Sequence, residues 1–323
     1  MTESKVLYKK WEGVEMKVAV TGATGFVGSH LVQRLQQEGH TVVVLTRDAQ
    51  KSKSLFPIAQ FPGVEGVTYT PLESGEWQGA IAGCDGVVNL AGAPIAESRW
   101  TPERKQEILD SRIIGTRKIV EAIAQANPKP SVLINSSAIG YYGTSETATF
   151  DETSAAGSDF LAEVCQAWEA EAQAVKTSST RLVILRTGIV LGMGGAIAKM
   201  LPPFQLFAGG PIGSGRQWFS WIHIDDLVNL ILKALTDPSL EGTFNATAPK
   251  PVRMAEFCTV MGQVLHRPSW LPVPDFVIET LLGDAAKVVL EGQQVLPKQT
   301  LATGFTYQYE TIKPALQQVL AKQ

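Results

Sequence analysis

The 323-residue sequence predicts an α/β protein, in which a doubly wound parallel sheet precedes a smaller, mostly helical C-terminal lobe. Short apolar runs typical of strands alternate with helical segments, as in a parallel sheet covered on both faces. Hydrophobic residues make up 45% of the chain and charged residues 18%, which excludes disorder as the main state. The alternation weakens near Gly192, and helical periodicity returns in the C-terminal third.

The first strand and the first helix are separated by a glycine-rich turn. Residues 17–20 form a short β-rich run, and the turn Thr21–Gly28 follows it directly. Residues 29–38 have helical periodicity, which Gly39 ends, and residues 41–45 form an apolar run typical of a buried strand. Together they make one βαβ unit, whose crossover is normally right-handed.

Further strands and helices follow in alternation. Four more strands are predicted, at residues 66–69, 86–90, 131–136 and 181–185. Helices are predicted at residues 108–126, 160–175, 225–235, 254–265 and 275–290. The Gly- and Pro-rich stretch that begins near Gly192 is expected to be irregular.

Charge and cysteine usage exclude several classes of protein. The formal net charge is −3 without any block of like charge, which argues against nucleic-acid and membrane-surface partners. Cys84, Cys165 and Cys258 are far apart, so neither a disulfide framework nor a metal site is expected. The first fifteen residues lack the apolar core of a signal peptide, and no apolar run reaches the ~20 residues of a membrane helix. We predict a cytoplasmic monomer or homodimer that binds a small molecule.

Glycines at 22, 25 and 28 predict a cofactor site. The first glycine permits a tight turn, the second lets backbone N–H groups reach a pyrophosphate, and the third lets helix and strand pack closely. The N-terminus of the following helix adds a partial positive charge. Thr24, Phe26 and Val27 complete the predicted cofactor-binding turn. A plain βα turn is the alternative, but it does not need three glycines at this spacing.

The end of the second strand favours NADP over NAD. NAD-specific folds place an acid there to bind the ribose 2′-hydroxyl. Here Thr46 and Arg47 follow the strand, and Asp48 comes only after them. An arginine at this point suits a 2′-phosphate. The alternative for Arg47 is a solvated loop charge.

Several further segments resemble the extended short-chain dehydrogenase/reductase superfamily, and more narrowly its NAD-dependent epimerase/dehydratase-like branch. Members of this branch have a small C-terminal domain and carry the labels sugar-nucleotide epimerase or, historically, cell-division inhibitor. The segments that carry the resemblance are Asn89–Gly92, Ser136–Gly143, Arg186–Gly192, Gly213–Asp226, Trp270–Pro274 and Leu296–Phe305.

The resemblance implies a Rossmann-like fold and assigns parts of the site. Leu90, Ala91 and Gly92 would lie beside the adenosine half of the cofactor, and residues 186–192 would pass the nicotinamide. Residues 213–226 would line the substrate cleft, with the substrate-binding candidates Gln217, Trp218 and Trp221. A base or a sugar could stack on either tryptophan. The alternative is that one of the two tryptophans faces the core.

These assignments divide the chain into three parts. Residues 1–15 are expected to be an N-terminal extension. Residues 16–192 with part of 220–250 would form the NADP-binding domain. Residues 193–219 and 251–323 would form the substrate cleft and the small C-terminal domain.

The helix after the fifth strand departs from the enzyme pattern of the superfamily. That pattern is Tyr-x-x-x-Lys, in which a spacing of four places the cation beside the phenol and lowers its pKa. If Glu169 matches the acid that commonly follows the lysine, Leu161 stands at the tyrosine position and Cys165 at the lysine position. Leucine cannot transfer a proton, so the usual dyad is absent.

Four other residues are candidates for the chemistry, each with a structural alternative. Tyr142 could donate a proton at a strand end or could only pack, and His223 could be an acid/base or could order the following helix. Cys165 could face the nicotinamide or fill buried space, and Ser136 could bind a substrate oxygen or belong to a turn.

The roles of Arg112 and Arg186 each have two alternatives, and so does the function of the protein. Arg112 and Thr116 face either the cofactor or, as we favour, the helix surface. Arg186 could reach a phosphate or form a buried ion pair.

The first function is an NADP-binding epimerase or oxidoreductase acting on a small molecule, such as a nucleotide-sugar or carbonyl compound. The second is a non-catalytic NADP-binding regulatory or scaffold protein.

Overall fold

The computed structural model describes residues 15–321. Residues 1–14, which make up nearly all of the predicted N-terminal extension, lie outside the described range, as do residues 322–323.

The strands, in chain order, are β1 (Lys17–Thr21), β2 (Thr41–Thr46), β3 (Val64–Thr68), β4 (Gly86–Asn89), β5 (Val132–Ala138), β6 (Thr149–Phe150), β7 (Arg181–Thr187), β8 (Ile189–Leu191), β9 (Trp218–Phe219), β10 (Trp221–His223), β11 (Gly242–Ala246), β12 (Val252–Arg253) and β13 (Gln294–Val295). The helices are α1 (Phe26–Gln37), α2 (Ala49–Leu55), α3 (Pro102–Gln125), α4 (Phe160–Gln173), α5 (Gly195–Gln205), α6 (Ile224–Thr236), α7 (Met254–Leu265), α8 (Asp275–Leu282), α9 (Lys287–Leu290), α10 (Lys298–Ala302) and α11 (Ile312–Leu320).

Seven of these strands form one parallel sheet in the order β11–β7–β5–β4–β1–β2–β3. The first strand lies between β4 and β2, and Val20 is in register with Val88 on one side and Val44 on the other. Because the strand order reverses beside β1, a crevice opens there at the carboxyl edge of the sheet. The Rossmann-like fold class is therefore confirmed.

Both faces of the sheet are buried, as the continuous apolar strands predict. On one face, Val18 and Val20 pack with Leu31 of α1 and Ile231 of α6. On the other face, Ala19 packs in a cluster that α3 and α4 cover. Successive residues of a strand point to opposite faces, so each strand contributes to both cores.

The structure differs from the sequence prediction at several elements. Helix α2 was not predicted, and its N-cap Asp48 accepts a hydrogen bond from Lys51 N at 2.9 Å. Helix α5 forms within the stretch expected to be irregular, and β11 forms where no strand was predicted. The predicted helix 275–290 is broken at Gly283, whose φ of +57° does not fit a right-handed helix.

A third cluster forms the core of the C-terminal lobe. It joins Trp221 of β10 to Phe257 of α7 and Leu316 of α11. The buried carboxylate of Asp226 in α6 accepts hydrogen bonds from Gln308 N at 2.7 Å and Tyr309 N at 3.0 Å. These bonds tie the C-terminal segment to the sheet domain. Among residues 15–321, no helix has the length and apolar character needed to cross a membrane.

Candidate functional site

A cavity of about 640 Å³ opens at the carboxyl ends of β5 and β7. Helices α3 and α4 form one wall, and residues 284–293 form part of the other. This volume lies within the range of small-molecule sites, and carboxyl strand ends are where ligands bind in open α/β sheets. The cavity and the glycine-rich turn lie at the same edge of the sheet.

The glycine-rich turn has room for glycine only. Gly22 has a φ of +65°, and a Cβ built on it would lie 2.9 Å from the Leu90 carbonyl carbon. A Cβ on Gly28 would lie 2.2 Å from the Gly22 carbonyl oxygen, so α1 packs closely against the backbone of the turn that follows β1. Thr24, Phe26 and Val27 are partly exposed in this turn.

The N-terminus of α1 can accept an anion. Gly25 is the N-cap, no side chain caps it, and the first turn has no acid. The first N–H groups of the helix therefore have no side-chain partner there and carry the positive end of the helix dipole. The Phe26 ring packs beside Gly192 and Gly194, where a Cβ would approach it to 2.6 Å. These residues fit a dinucleotide pyrophosphate.

Two segments flank this turn at the same edge of the sheet, namely the residues after β4 and those after β2. Leu90 N and Ala91 N donate to Thr21 Oγ1 at 3.1 and 3.2 Å, which fixes the segment after β4 against β1. Arg47 is exposed after β2. Its neighbour Asp48 caps α2 through its side chain, so that carboxylate already has a structural partner.

Leu161 and Cys165 of α4 line the cavity, together with Gly140 and Ala138. Burial, together with the nearby charge of Glu169, raises the pKa of the Cys165 thiol to about 11. The thiol donates to the Ala138 carbonyl oxygen, with an S···O distance of 3.7 Å. Cys165 therefore keeps its proton at neutral pH.

The structure corrects the expected position of Tyr142. This residue is 3% exposed and lies behind the cavity wall, outside the set of lining residues. Its hydroxyl donates to Asn245 Oδ1 at 2.7 Å and accepts from Arg186 Nη1 at 3.0 Å. Burial raises its pKa. Both partners are structural, so this hydroxyl does not face a substrate.

His223 and Ser136 are also placed away from the cavity. His223 is fully buried and caps α6, since its Nδ1 accepts from Asp225 N at 3.1 Å. Its Nε2 lies 2.8 Å from Gln318 Oε1. Ser136 points to the opposite face of β5 from Ser137, and Ser137 is the serine that lines the cavity.

Only one of the three predicted substrate residues reaches the cavity. Trp218 lines it and donates from Nε1 to Glu146 O at 3.0 Å. Trp221 is fully buried in the C-terminal core, which agrees with the alternative that one of the two tryptophans faces the core. Gln217 is buried outside the cavity lining and donates to Val289 O at 3.1 Å.

Arg186 forms a buried ion pair, which decides between its two predicted roles. It binds Glu169 in a bidentate manner, with Nε–Oε1 and Nη2–Oε2 distances of 2.8 Å. Ser137 Oγ donates to the same carboxylate at 2.6 Å. The pair therefore supports the cavity wall from behind.

Arg112 is the cavity residue that sequence reasoning misplaced. It lines the cavity, whereas we favoured the helix surface. Thr116 is buried, and its hydroxyl accepts from Asn89 Nδ2 at 2.9 Å and Trp168 Nε1 at 2.8 Å. Arg112 lies four residues from Ile108 and four from Thr116 on one helix face, and this face continues into the buried Ile119 and Ile123, which could have shown that Arg112 points inward.

Comparison with known proteins agrees with this geometry. The model of the NAD dependent epimerase/dehydratase family matches residues 18–246. The chain belongs to this family. A second family model, a domain of unknown function (DUF1731), matches residues 273–319 in the C-terminal lobe. The resemblance seen in the sequence is thus confirmed.

Individual relatives cover nearly the whole chain. An epimerase family protein SDR39U1 homolog, chloroplastic, from Arabidopsis thaliana is 52% identical over 98% of this chain and 90% of its own. A crystal structure of human epimerase family protein SDR39U1 (isoform 2) with NADPH is 36% identical, with a TM-score of 0.82 over 95% of this chain and 100% of its own. UDP-glucuronic acid 4-epimerase from Bacillus cereus, at 18% identity and a TM-score of 0.75 over 95% of this chain and 96% of its own, shares the fold.

Proposed function

We propose that this protein binds NADP along the carboxyl edge of the sheet and acts on a small molecule in the cavity. It would be an oxidoreductase or epimerase without the Tyr-x-x-x-Lys dyad. One observation carries the proposal: the glycine cradle after β1 and the cavity between β5 and β7 share one edge. They are separated by two to three strand spacings, roughly 10–14 Å. A dinucleotide binds across such a crevice.

Different residues around the crevice would bind different parts of the cofactor. The first turn of α1 would hold the pyrophosphate, residues 90–92 the adenosine half, and Arg47 the 2′-phosphate. The human relative that was crystallised with NADPH supports NADP in this chain. When bound, the nicotinamide supplies or accepts a hydride.

Cavity residues would position the substrate and hold one proton. Cys165 is the protonated group on the α4 wall, since its pKa is about 11. Ser137 is committed to Glu169, so its oxygen is oriented by that bond and its hydrogen is not free for a substrate. Arg112 supplies a positive charge on the α3 wall.

A second candidate function is a non-catalytic NADP-binding protein that regulates or supports a partner. The observation that favours it is that the candidate proton donors are replaced or already bonded within the fold. Leu161 replaces the tyrosine, while Tyr142 and His223 are bonded within the fold. The division into domains, a monomeric or homodimeric state and a cytoplasmic location stay predictions.

Cofactor titration tests the first part of the proposal. We expect NADPH to bind wild-type protein more tightly than NADH, because an arginine–phosphate pair contributes about 1.5–3 kcal/mol. The Arg47→Ala variant should lose this preference, whereas Lys53→Ala on the adjacent helix should keep it. Fluorescence quenching measures both affinities. Equal affinities of the wild type for NADPH and NADH would contradict the assignment of Arg47.

Turnover separates the two candidate functions. A panel of carbonyl compounds and nucleotide sugars is incubated with NADPH and with NADP⁺, and the absorbance of the reduced cofactor is followed. We expect any active substrate to keep its turnover in Tyr142→Phe and lose part of it in Cys165→Ala. NADPH binding without turnover on the whole panel would favour the regulatory function.

A further inference from the structure

Arg112 brings a positive charge to the cavity without a negative partner. Among residues 15–321, no carboxylate forms an ion pair with it, whereas Arg117 on the same helix pairs with Glu171. Arg112 is only partly exposed, and a charge that loses part of its hydration is normally compensated by a partner. Burial indeed lowers the pKa of the Arg112 guanidinium. A charge that is kept in such a place points to a ligand.

The guanidinium is held so that one edge stays free. Nη1 donates to Ala93 O at 3.0 Å and to Ile108 O at 3.2 Å, which uses both of its hydrogens. Within the described part of the chain, no acceptor is bonded to Nε or Nη2. These two nitrogens form the side of a guanidinium that binds a carboxylate in a bidentate manner.

The guanidinium packs against the Trp168 ring and lies close to the backbone of Gly92. The Trp168 ring centroid lies 5.1 Å from Cζ. A Cβ built on Gly92 would lie 3.0 Å from the same atom, so a side chain at position 92 would displace the arginine. These contacts and the backbone bonds at Nη1 restrict the orientation of the group, which lowers the entropy lost on binding.

The surroundings of this charge are apolar. Aromatic rings and aliphatic side chains line most of the cavity, namely Trp100, Phe160, Trp168, Trp218, Leu161 and Val164. The other charged lining groups have partners or are exposed. Lys105 pairs with Asp284 at 3.0 Å, and Asp159 caps α4. Lys287 and Glu291 are exposed.

We propose that Arg112 binds the carboxylate of an apolar, ring-bearing small acid, which occupies the cavity as the substrate class of this protein. The proposal rests on the proposed function, since it fills the cavity beside the cofactor. A nucleotide sugar fits less well, because several polar side chains of the lining already donate within the fold, among them Ser137, Thr144 and Ser220. None of the turn residues 22–28 lines the cavity, whereas Gly92 packs against the guanidinium, so the test also measures the NADPH affinity of the Arg112 variant.

The test uses the full chain saturated with NADP⁺. Calorimetry measures the binding of four acids, namely benzoate, cinnamate, naphthoate and indole-3-acetate, and of the neutral primary amide of each. UDP-glucose is titrated in the same way to represent the nucleotide sugars. We expect at least one acid to bind wild-type protein ten or more times more tightly than its amide. Arg112→Met should remove this preference, and Arg112→Lys should restore part of it. Arg117→Met on the same helix should leave it unchanged.

Three results would overturn the proposal. The first is the absence of any preference for acid over amide in wild-type protein. The second is tighter binding of UDP-glucose than of every acid. The third is a tenfold or larger loss of NADPH affinity in a folded Arg112→Met variant, which would assign the charge to the cofactor. If Arg112→Met does not fold, the wild-type preference and Arg112→Lys decide the outcome. Failure to bind NADPH at all would instead refute the proposed function.

Discussion

Replacing Glu169 by glutamine should destabilise the protein strongly, because it leaves Arg186 charged and buried. Glu169 is 8% exposed and Arg186 is 5% exposed. Burial alone would lower the pKa of Arg186, but the hydrogen bonds and charge of Glu169 raise it above its usual value. An arginine side chain stays protonated in proteins, so the guanidinium keeps its charge in Glu169→Gln, and one amide group cannot replace two carboxylate contacts.

The expected loss follows from the geometry of the pair. Breaking a buried ion pair by removing one partner costs about 3–5 kcal/mol. Two contacts of 2.8 Å and the Ser137 bond of 2.6 Å all end on this carboxylate, which places the loss toward the upper part of that range. A domain is stable by only about 5–15 kcal/mol, so the change is large.

Urea denaturation followed by circular dichroism measures the free energy of unfolding. The matched control is Glu171→Gln on the same helix, since Glu171 forms a surface pair with Arg117, whose side chain is 50% exposed. That change should cost about 0–1 kcal/mol. The double variant Glu169→Gln/Arg186→Met should recover part of the loss, because it removes the unpaired charge. An equal, small loss in Glu169→Gln and Glu171→Gln would refute the reasoning.

Three further predictions concern the turn and the C-terminal lobe. Gly28→Ala should lower the free energy of unfolding by about 1–3 kcal/mol and weaken NADPH binding, because its Cβ would lie 2.2 Å from Gly22 O. Thermal melts and NADPH titrations measure both effects, and Gly79→Ala is the control because a Cβ there meets no atom within 4 Å. His223→Ala should lower stability by about 0.5–2 kcal/mol through loss of the α6 cap, and a loss of turnover at unchanged substrate binding would contradict its structural role. Burial raises the pKa of Asp226 from 3.8 to about 6, so its contribution to stability is present below pH 4 and is lost as the pH rises through 6. Relative to Asp226→Asn, the wild type should lose about 2–3 kcal/mol between pH 4 and 7, and parallel stability curves for the two proteins would refute this.

Local spacing predicted the elements whose geometry depends on adjacent residues. The three glycines of the turn, the apolar strands and the helical stripes identified the βαβ unit and the fold class. The missed elements had weak local signals. β11 has the sequence GTFNA, with little of the apolar character of the other strands, and it is formed by pairing with β7. α5 contains two prolines, and α2 is a short polar helix.

The placement of individual side chains was decided by the tertiary structure. The sequence by itself determined that a glycine-rich turn follows the first strand and that the tyrosine–lysine pair is absent from α4. It did not determine that Tyr142 binds Asn245, 103 residues away, or that Thr116 meets Trp168, 52 residues away. Such neighbours depend on the strand order, which brings β5 and β7 side by side and packs α3 against α4. Because a side chain's hydrogen-bond partners and burial come from these distant segments, they decided that Tyr142 and His223 are structural and that Arg112 faces the cavity.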